Sequence, residues 1–260
     1  MSGTADIVNF EEKSGYKVDN ISGKAIVGGG KTIIEELRIK DAWSDVSLKT
    51  FMMSYKNSLA FSDFIAQVKI DGTINPSVLD FTTIAYFAPT LKGNTLRTSI
   101  QGTVSGYIDN FSIENIAVSS EEGIFAGNVS GRMTGLPEIE DTRLDVVLKD
   151  FSLNTEGLGK FISQWMQEGE ELDLSRFAKD QIFKVNAKGN GLMNELGVKA
   201  DIDAMPGFLN ADIKLTDIVS ETKAIGIQGR ITTDDLNLGS MIGTDLLGET
   251  SLRTGAKAQI

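Results

Sequence analysis

A two-residue hydrophobic rhythm, repeated along most of the chain, constrains the fold more than any other feature. Leu144, Val146 and Leu148 alternate with Arg143, Asp145 and Lys149, and Val198, Ala200 and Ile202 alternate with Lys199, Asp201 and Asp203. Ala211, Ile213 and Leu215 alternate with Asp212, Lys214 and Thr216, and Ile100, Val104 and Ile108 with Thr103, Ser105 and Tyr107. Shorter stretches of the same kind hold Val18, Ile21, Ala25 and Val27, then Leu37 and Ile39, Val46 and Leu48, and Val68 and Ile70. Period two puts alternate side chains on opposite faces, one dry and one wet. About a dozen such segments, separated by Gly, Asn and Asp turns, read as a mainly β, mostly antiparallel sheet. A sheet of that size must curl, split into layers or close.

The rhythm carries loose repeats. Gly102-Thr103-Val104-Ser105-Gly106 returns as Gly127-Asn128-Val129-Ser130-Gly131, and Ile100-Gln101-Gly102 as Ile227-Gln228-Gly229. Asp80-Phe81-Thr82-Thr83, Asp150-Phe151-Ser152-Leu153 and Asp235-Leu236-Asn237-Leu238 read as a phrase that closes a strand and opens a helical pattern. About three short helices are expected. Leu158, Phe161, Ile162, Trp165 and Met166 form one apolar stripe, with Asn154 or Thr155 to cap its first turn. A second helix is placed near Ser175 and Phe177. A third spans Val78 to Ala88, with Phe81, Ile84, Ala85 and Ala88 on one stripe before Pro89. No linker interrupts the pattern, so residues 15–260 read as one continuous β-repeat domain, and residues 1–14 as a disordered or vector-derived N-terminus.

The missing residue types narrow the chemistry. The chain has no cysteine and no histidine, which removes thiolate nucleophiles, disulfides, Ser-His-Asp catalysis and Cys- or His-ligated metals. Its net charge of −11 is the wrong sign for releasing counterions from nucleic acid or for charge-driven recruitment to anionic lipid. No run of about 18 apolar residues is present to span a bilayer. Gly28-Gly29-Gly30-Lys31-Thr32 invites a phosphate-loop reading, but Ala25 stands where that motif needs its first glycine, and a hairpin turn accounts for the segment. The acidic groups Glu35/Glu36, Glu121/Glu122, Glu138/Glu140, Glu168/Glu170/Glu171 and Asp234/Asp235 read as solvated turn and face charges. A glycosidase would need two carboxylates facing across a cleft about 5–9 Å wide, and few clustered exposed aromatics offer a sugar platform. No catalytic residue, metal ligand or cofactor site is expected.

What remains is geometric. A long sheet whose dry face is only partly covered by short helices leaves an apolar trough, and an acyl chain is the ligand that needs no polar partner along its length. Leu37, Ile39, Val46, Leu48, Val68, Ile70, Ile100, Val104 and Ile108 are the expected lining. The stripe Leu158, Phe161, Ile162, Trp165 and Met166 would plug or gate it. The other reading is a structural β-repeat or adhesin-like module whose core closes on itself and holds no lipid.

A family resemblance points the same way. Pro76-Ser77-Val78-Leu79-Asp80-Phe81, Phe87-Ala88-Pro89-Thr90-Leu91, the two Gly-x-Val-x-Gly phrases and Gly135-Leu136-Pro137 follow one another in an order similar to that of the TamB (AsmA-like) envelope proteins, in their Bacteroidota form. Asp141-Thr142-Arg143-Leu144-Asp145 and Gly229-Arg230-Ile231-Thr232-Thr233 extend the likeness, which spans most of residues 15–250. The resemblance implies an elongated, curved, U-shaped sheet with a hydrophobic trough and no enzymatic activity. It also implies a periplasmic setting with an inner-membrane anchor, and roles in phospholipid passage and outer-membrane protein assembly. Phospholipid and an Omp85-class outer-membrane barrel are the implied partners, the barrel docking through regions absent here. The chain would then be an internal slice of a longer protein.

Overall fold

The computed structural model describes residues 1–11, 15–86, 96–121, 123–157, 159, 181–204, 207–218, 226–237 and 249–259. It is mainly β, with 14 antiparallel strands in one sheet that does not close. The strands follow chain order, so each hairpin adds one neighbour at a time. The chain divides into two compact units, Met1–Glu121 with Arg132–Pro137, and Glu122–Gly131 with Glu138–Ile260.

The first unit holds β1 (Ser2–Glu11), β2 (Lys17–Gly28), β3 (Lys31–Lys40), β4 (Asp45–Ser54), β5 (Lys69–Asp80), β6 (Arg97–Tyr107) and β7 (Asn110–Ser120). Residues 2–11, which the sequence reading sets outside the β domain, form β1 and pair antiparallel with β2. Its described side chains are exposed, so backbone hydrogen bonds rather than apolar burial hold it, and hydrophobic rhythm gives little sign of such a strand. Between β4 and β5 lie a 3-10 turn (Ser58–Asp63) and α1 (Phe64–Gln67), absent from the sequence reading. The helix expected over Val78–Ala88 is shorter than its stripe suggested. Val78 to Asp80 stay in β5, and α2 covers Phe81–Ile84, with Asp80 accepting a 2.7 Å bond from the Thr82 N–H.

The second unit contains most of β8 (Phe125–Thr134), then β9 (Arg143–Asn154), β10 (Ile182–Leu192), β11 (Glu195–Asp203), β12 (Phe208–Thr216), β13 (Gly226–Asn237) and β14 (Glu249–Gln259). The turn after β9 is helical at 155–157, and Asn154 caps it by accepting from the Gly157 N–H at 2.8 Å. The stripe Leu158, Phe161, Ile162, Trp165 and Met166 and the helix near Ser175 lie outside the described residues, as do Phe87 to Leu91.

The loose repeats mark β-bulges. Register shifts put one extra residue in β3, β5 and β7 of the first unit, and in β9 and β13 of the second. In four of these strands a left-handed residue marks the shift: Glu36 (φ 52°), Asn115 (47°), Asp150 (50°) and Asp235 (46°). In β5 the shift falls across Asn75-Pro76. An extra residue bends its strand and increases local twist. A glycine of the preceding even strand faces several of them. A Cβ on Gly23 would come 3.4 Å from the Glu35 carbonyl, one on Gly102 2.9 Å from the Asn115 carbonyl, and one on Gly127 2.6 Å from the Phe151 Cα. Asp150 and Asp235 therefore bend strands that continue past them, and only Asp80 closes one and opens a helix.

Two substitutions test this arrangement. Glu36→Gly removes an exposed left-handed side chain and is expected to stabilise the protein by about 0.5–1 kcal/mol. Gly102→Ala sets a Cβ 2.9 Å from the Ile116 Cα at φ +155° and should cost ~2 kcal/mol or more. Denaturant melts of the two variants check both signs.

Candidate functional site

Two constellations stand out, an apolar face in the second unit and a buried polar knot in the first. The apolar face follows from register, because directly opposed residues share a face. Across β9 to β13, Leu144, Gly191, Leu196, Leu215 and Ile227 stand in one row. Val146, Gly189, Val198, Ile213 and Gly229 form the next. Leu148, Ala187, Ala200, Ala211 and Ile231 follow, and past the Asp150 bulge come Phe151, Val185, Ile202, Leu209 and Thr233. No charged residue interrupts the four rows. Leu196 and Gly189 are buried and the rest are half-buried, so most of the rows keep part of their side chains in contact with solvent.

Its size follows from sheet spacing. Five strands at ~4.8 Å and four rows at ~6.8 Å give about 19 by 20 Å, or roughly 400 Å² in projection. Apolar patches of that extent on a folded surface are commonly functional. The opposite face is charged. Lys199 pairs with Asp212 at 3.3 Å, Lys214 with Glu195, and Asn190 donates to Asp145. That face is anchored in water, which leaves the apolar one for a ligand.

The expected lining residues sit in the first unit and are mostly brought together. Leu37 opposes Leu48, and Ile39 opposes Val46. Ile70 opposes Met53 and Gly106, while Val104 opposes Gly72 and Ile113, and Ile100 opposes Ser77 and Val118. This face is packed over Gly72 much as the second unit's is over Gly189, where a Cβ would lie 2.9 Å from a Val146 methyl and 3.5 Å from a Leu196 methyl. Leu37, Leu48 and Ile70 are only 6–8% exposed, and a Cβ on Gly72 would lie 2.9 Å from a Val104 methyl and 3.2 Å from a Leu48 methyl. Two members fall off the strands. Val68 caps α1 and is fully buried, its N–H bonded to the Phe64 carbonyl at 3.2 Å, and Ile108 lies in the β6–β7 turn. This unit also carries an open groove of about 350 Å³ of mixed lining, with Met52 and Val104 among its walls. Thr50, Thr73 and Thr103 stand directly opposite one another there, with Asp71, Ser105 and Glu114 beside them.

The polar knot is centred on Asp41, which is 2% exposed. Its Oδ1 accepts from the Trp43 N–H at 2.8 Å and the Ser44 N–H at 2.6 Å. Its Oδ2 accepts from the Tyr16 hydroxyl and the Thr83 hydroxyl, both at 2.8 Å. The Asp80 N–H donates to Ser44 Oγ at 2.9 Å, and the Ser44 hydroxyl closes the ring onto Thr83 Oγ1 at 2.7 Å. Both carboxylate oxygens are engaged twice over and the residue is buried, so the knot pins the β3–β4 turn to α2. Tyr16, Trp43 and Tyr86 group around it, with ring centroids 5.4 Å (Tyr16–Tyr86) and 6.1 Å (Trp43–Tyr86) apart. The Asp41-Ala42-Trp43-Ser44 turn is the sequence signal that could have found the knot.

Burial and the bond to Asp41, with the charges of Asp41 and Asp19, push the Tyr16 phenol well above the ordinary tyrosine range. An unfolded chain ionises tyrosine near ~10 while the folded chain stays protonated, so this contribution is whole below that pH and lost as pH rises beyond it. Thermal melts between pH 8 and 11 should show an alkaline loss that shrinks in Tyr16→Phe. An unchanged alkaline limb would contradict the assignment.

Among the described residues no helix is long and apolar enough to cross a membrane. In comparison with known proteins, no family model, no curated protein and no solved structure matches the chain.

Proposed function

We propose that the chain is a non-enzymatic, lipid-binding β segment that holds acyl chains on the half-buried apolar face of its second unit. The observation that carries the reading is the four-row face across β9–β13, free of charge and half-buried except at Gly189 and Leu196, which are buried. Burying the methylenes of a lipid tail there is worth about 0.8 kcal/mol each, with no polar group left unpaired. The family resemblance agrees, and with it the proposal extends to a periplasmic, inner-membrane-anchored protein that passes phospholipid between membranes or serves outer-membrane protein assembly. An Omp85-class barrel would be engaged outside this chain.

A phospholipid with a fluorescent NBD-labelled tail tests the binding step. Added to detergent-free protein, it should give a saturable rise in emission that unlabelled phospholipid competes away. A signal that is linear in protein and indifferent to competitor would refute the reading. The packed face of the first unit, with Leu37, Leu48 and Ile70 buried, favours the structural-module reading for that unit. Val104 belongs to that packing, so Val104→Asp would test folding there more than lipid occupancy.

A further inference from the structure

We infer that Tyr16, Trp43 and Tyr86 form a carbohydrate platform, on which a neutral, β-linked pyranose of gluco configuration stacks. This does not rest on the lipid reading. The chain holds only two tryptophans and four tyrosines, and the fold gathers three of these six at one point. They come from segments far apart in sequence, so no local window shows them together. Trp43 is 37% and Tyr86 38% exposed, and Tyr16 is half-buried. Neighbouring aromatic rings left partly in water, each with a polar tip, are characteristic of binding surfaces.

Each ring-bearing segment is tied to one buried carboxylate. The Tyr16 hydroxyl and the Trp43 backbone N–H donate to Asp41 directly. Thr83 also donates to Asp41, and its carbonyl accepts from the Tyr86 N–H at 3.3 Å. A platform fixed in advance loses little conformational freedom on binding. The ring centroids, 5.4 and 6.1 Å apart, stand too close for a guest between them, because a group sandwiched by two rings needs about 7–8 Å. A cation caged between ring faces is therefore excluded, and a ligand must lie across the exposed faces. A gluco-configured pyranose suits that demand. Its hydroxyls are equatorial and its two flat faces carry axial C–H groups, so it covers an aromatic ring without stranding a hydroxyl. The rim hydroxyls still need partners. Among the described residues, neither the Trp43 indole N–H nor the Tyr86 hydroxyl has a hydrogen-bond partner. The first donates, and the second both donates and accepts. The net charge of −11 favours a neutral sugar over an anionic one.

Isothermal titration of cellotetraose and of chitotetraose into the full, detergent-free chain tests the platform. At least one should bind with a Kd of about 0.1–1 mM. The same sugar should shift Trp43 emission in a Trp165→Phe background, where Trp43 is the only indole. Trp43→Ala keeps the backbone bond to Asp41 and should weaken binding about tenfold or more. Tyr86→Phe keeps the ring and loses the hydroxyl, so it should fold as the parent does and weaken binding about threefold to tenfold. It decides the matter even where Trp43→Ala fails to fold. No heat and no emission change from either sugar up to about 10 mM overturns the inference, and so does binding that both variants leave at the parental affinity.

Discussion

Asp41→Ala is expected to lower stability by about 3–5 kcal/mol, the largest loss from any single substitution in the first unit. The carboxylate is 2% exposed and accepts four hydrogen bonds, two from the β3–β4 turn, one from β2's approach and one from α2. Alanine leaves two backbone N–H groups and the Tyr16 hydroxyl without this acceptor, while Thr83 keeps its bond with Ser44, and unmet buried donors cost about 1–3 kcal/mol each, not additively. For a chain of this size that corresponds to a thermal midpoint about 10 °C lower. Asp41→Asn keeps one acceptor and should recover part of the loss. Calorimetry of both variants decides it, and a shift under about 1 kcal/mol for Asp41→Ala would mean the turn and α2 are held by packing instead.

The second large effect is on ligand rather than stability. Ile213→Asp should abolish saturable phospholipid binding, because Ile213 stands in the second row between Val198 and Gly229. An unpaired carboxylate at the centre of an acyl-binding face must be desolvated or must repel the tail. The face is half-exposed without lipid, so the free protein should fold with a modest loss of about 1–2 kcal/mol. Asp212→Asn, one residue away on the charged face, loses only a surface pair with Lys199, worth less than ~1 kcal/mol. Its binding should match the parent. Equal binding by the two variants would remove the face from the account, whereas loss in Ile213→Asp alone would separate ligand from fold by one step along a strand.

Acid should weaken the first unit in a readable way. The Arg38 guanidinium bonded to Asp45 holds that carboxyl below its usual range, against a smaller opposing effect of burial. Burial alone would raise Asp71, but bonds from Lys69 and Ser105 and the Lys69 charge outweigh it. Both contributions are present above about pH 4 and are lost as pH falls through the lowered folded-state values. The stability difference between the parent and an Asp71→Asn variant should therefore narrow from pH 6 to pH 3. A difference independent of pH would contradict the assignment.

The strands were readable because a sheet with one wet face writes its period into the sequence, as in Val198-Lys199-Ala200-Asp201-Ile202. Bulges were misread for a physical reason. Aspartate is rare inside strands, so Asp150 and Asp235 looked like strand ends, although a left-handed bulge tolerates Asp and Asn well. The matching glycines, Gly23, Gly102 and Gly127, were visible as repeats, but their role emerges only when the next strand is laid beside them. The Asp41 knot gathers residues 16, 41, 44, 80 and 83, and no local window contains all of them. The alternation of β9–β13 is the cleanest in the chain, but the filling of glycine positions shows only in the folded sheet, where Val104 and Leu48 lie against Gly72 and Val146 and Leu196 against Gly189.

The most direct test of the central claim is organic extraction of purified, detergent-free protein, followed by mass spectrometry of the extract. Near-stoichiometric phospholipid or fatty acid is the predicted result, reduced to background in Ile213→Asp prepared in parallel. A folded parent protein that yields no lipid would contradict it, and would leave the β9–β13 face as the surface of a structural module.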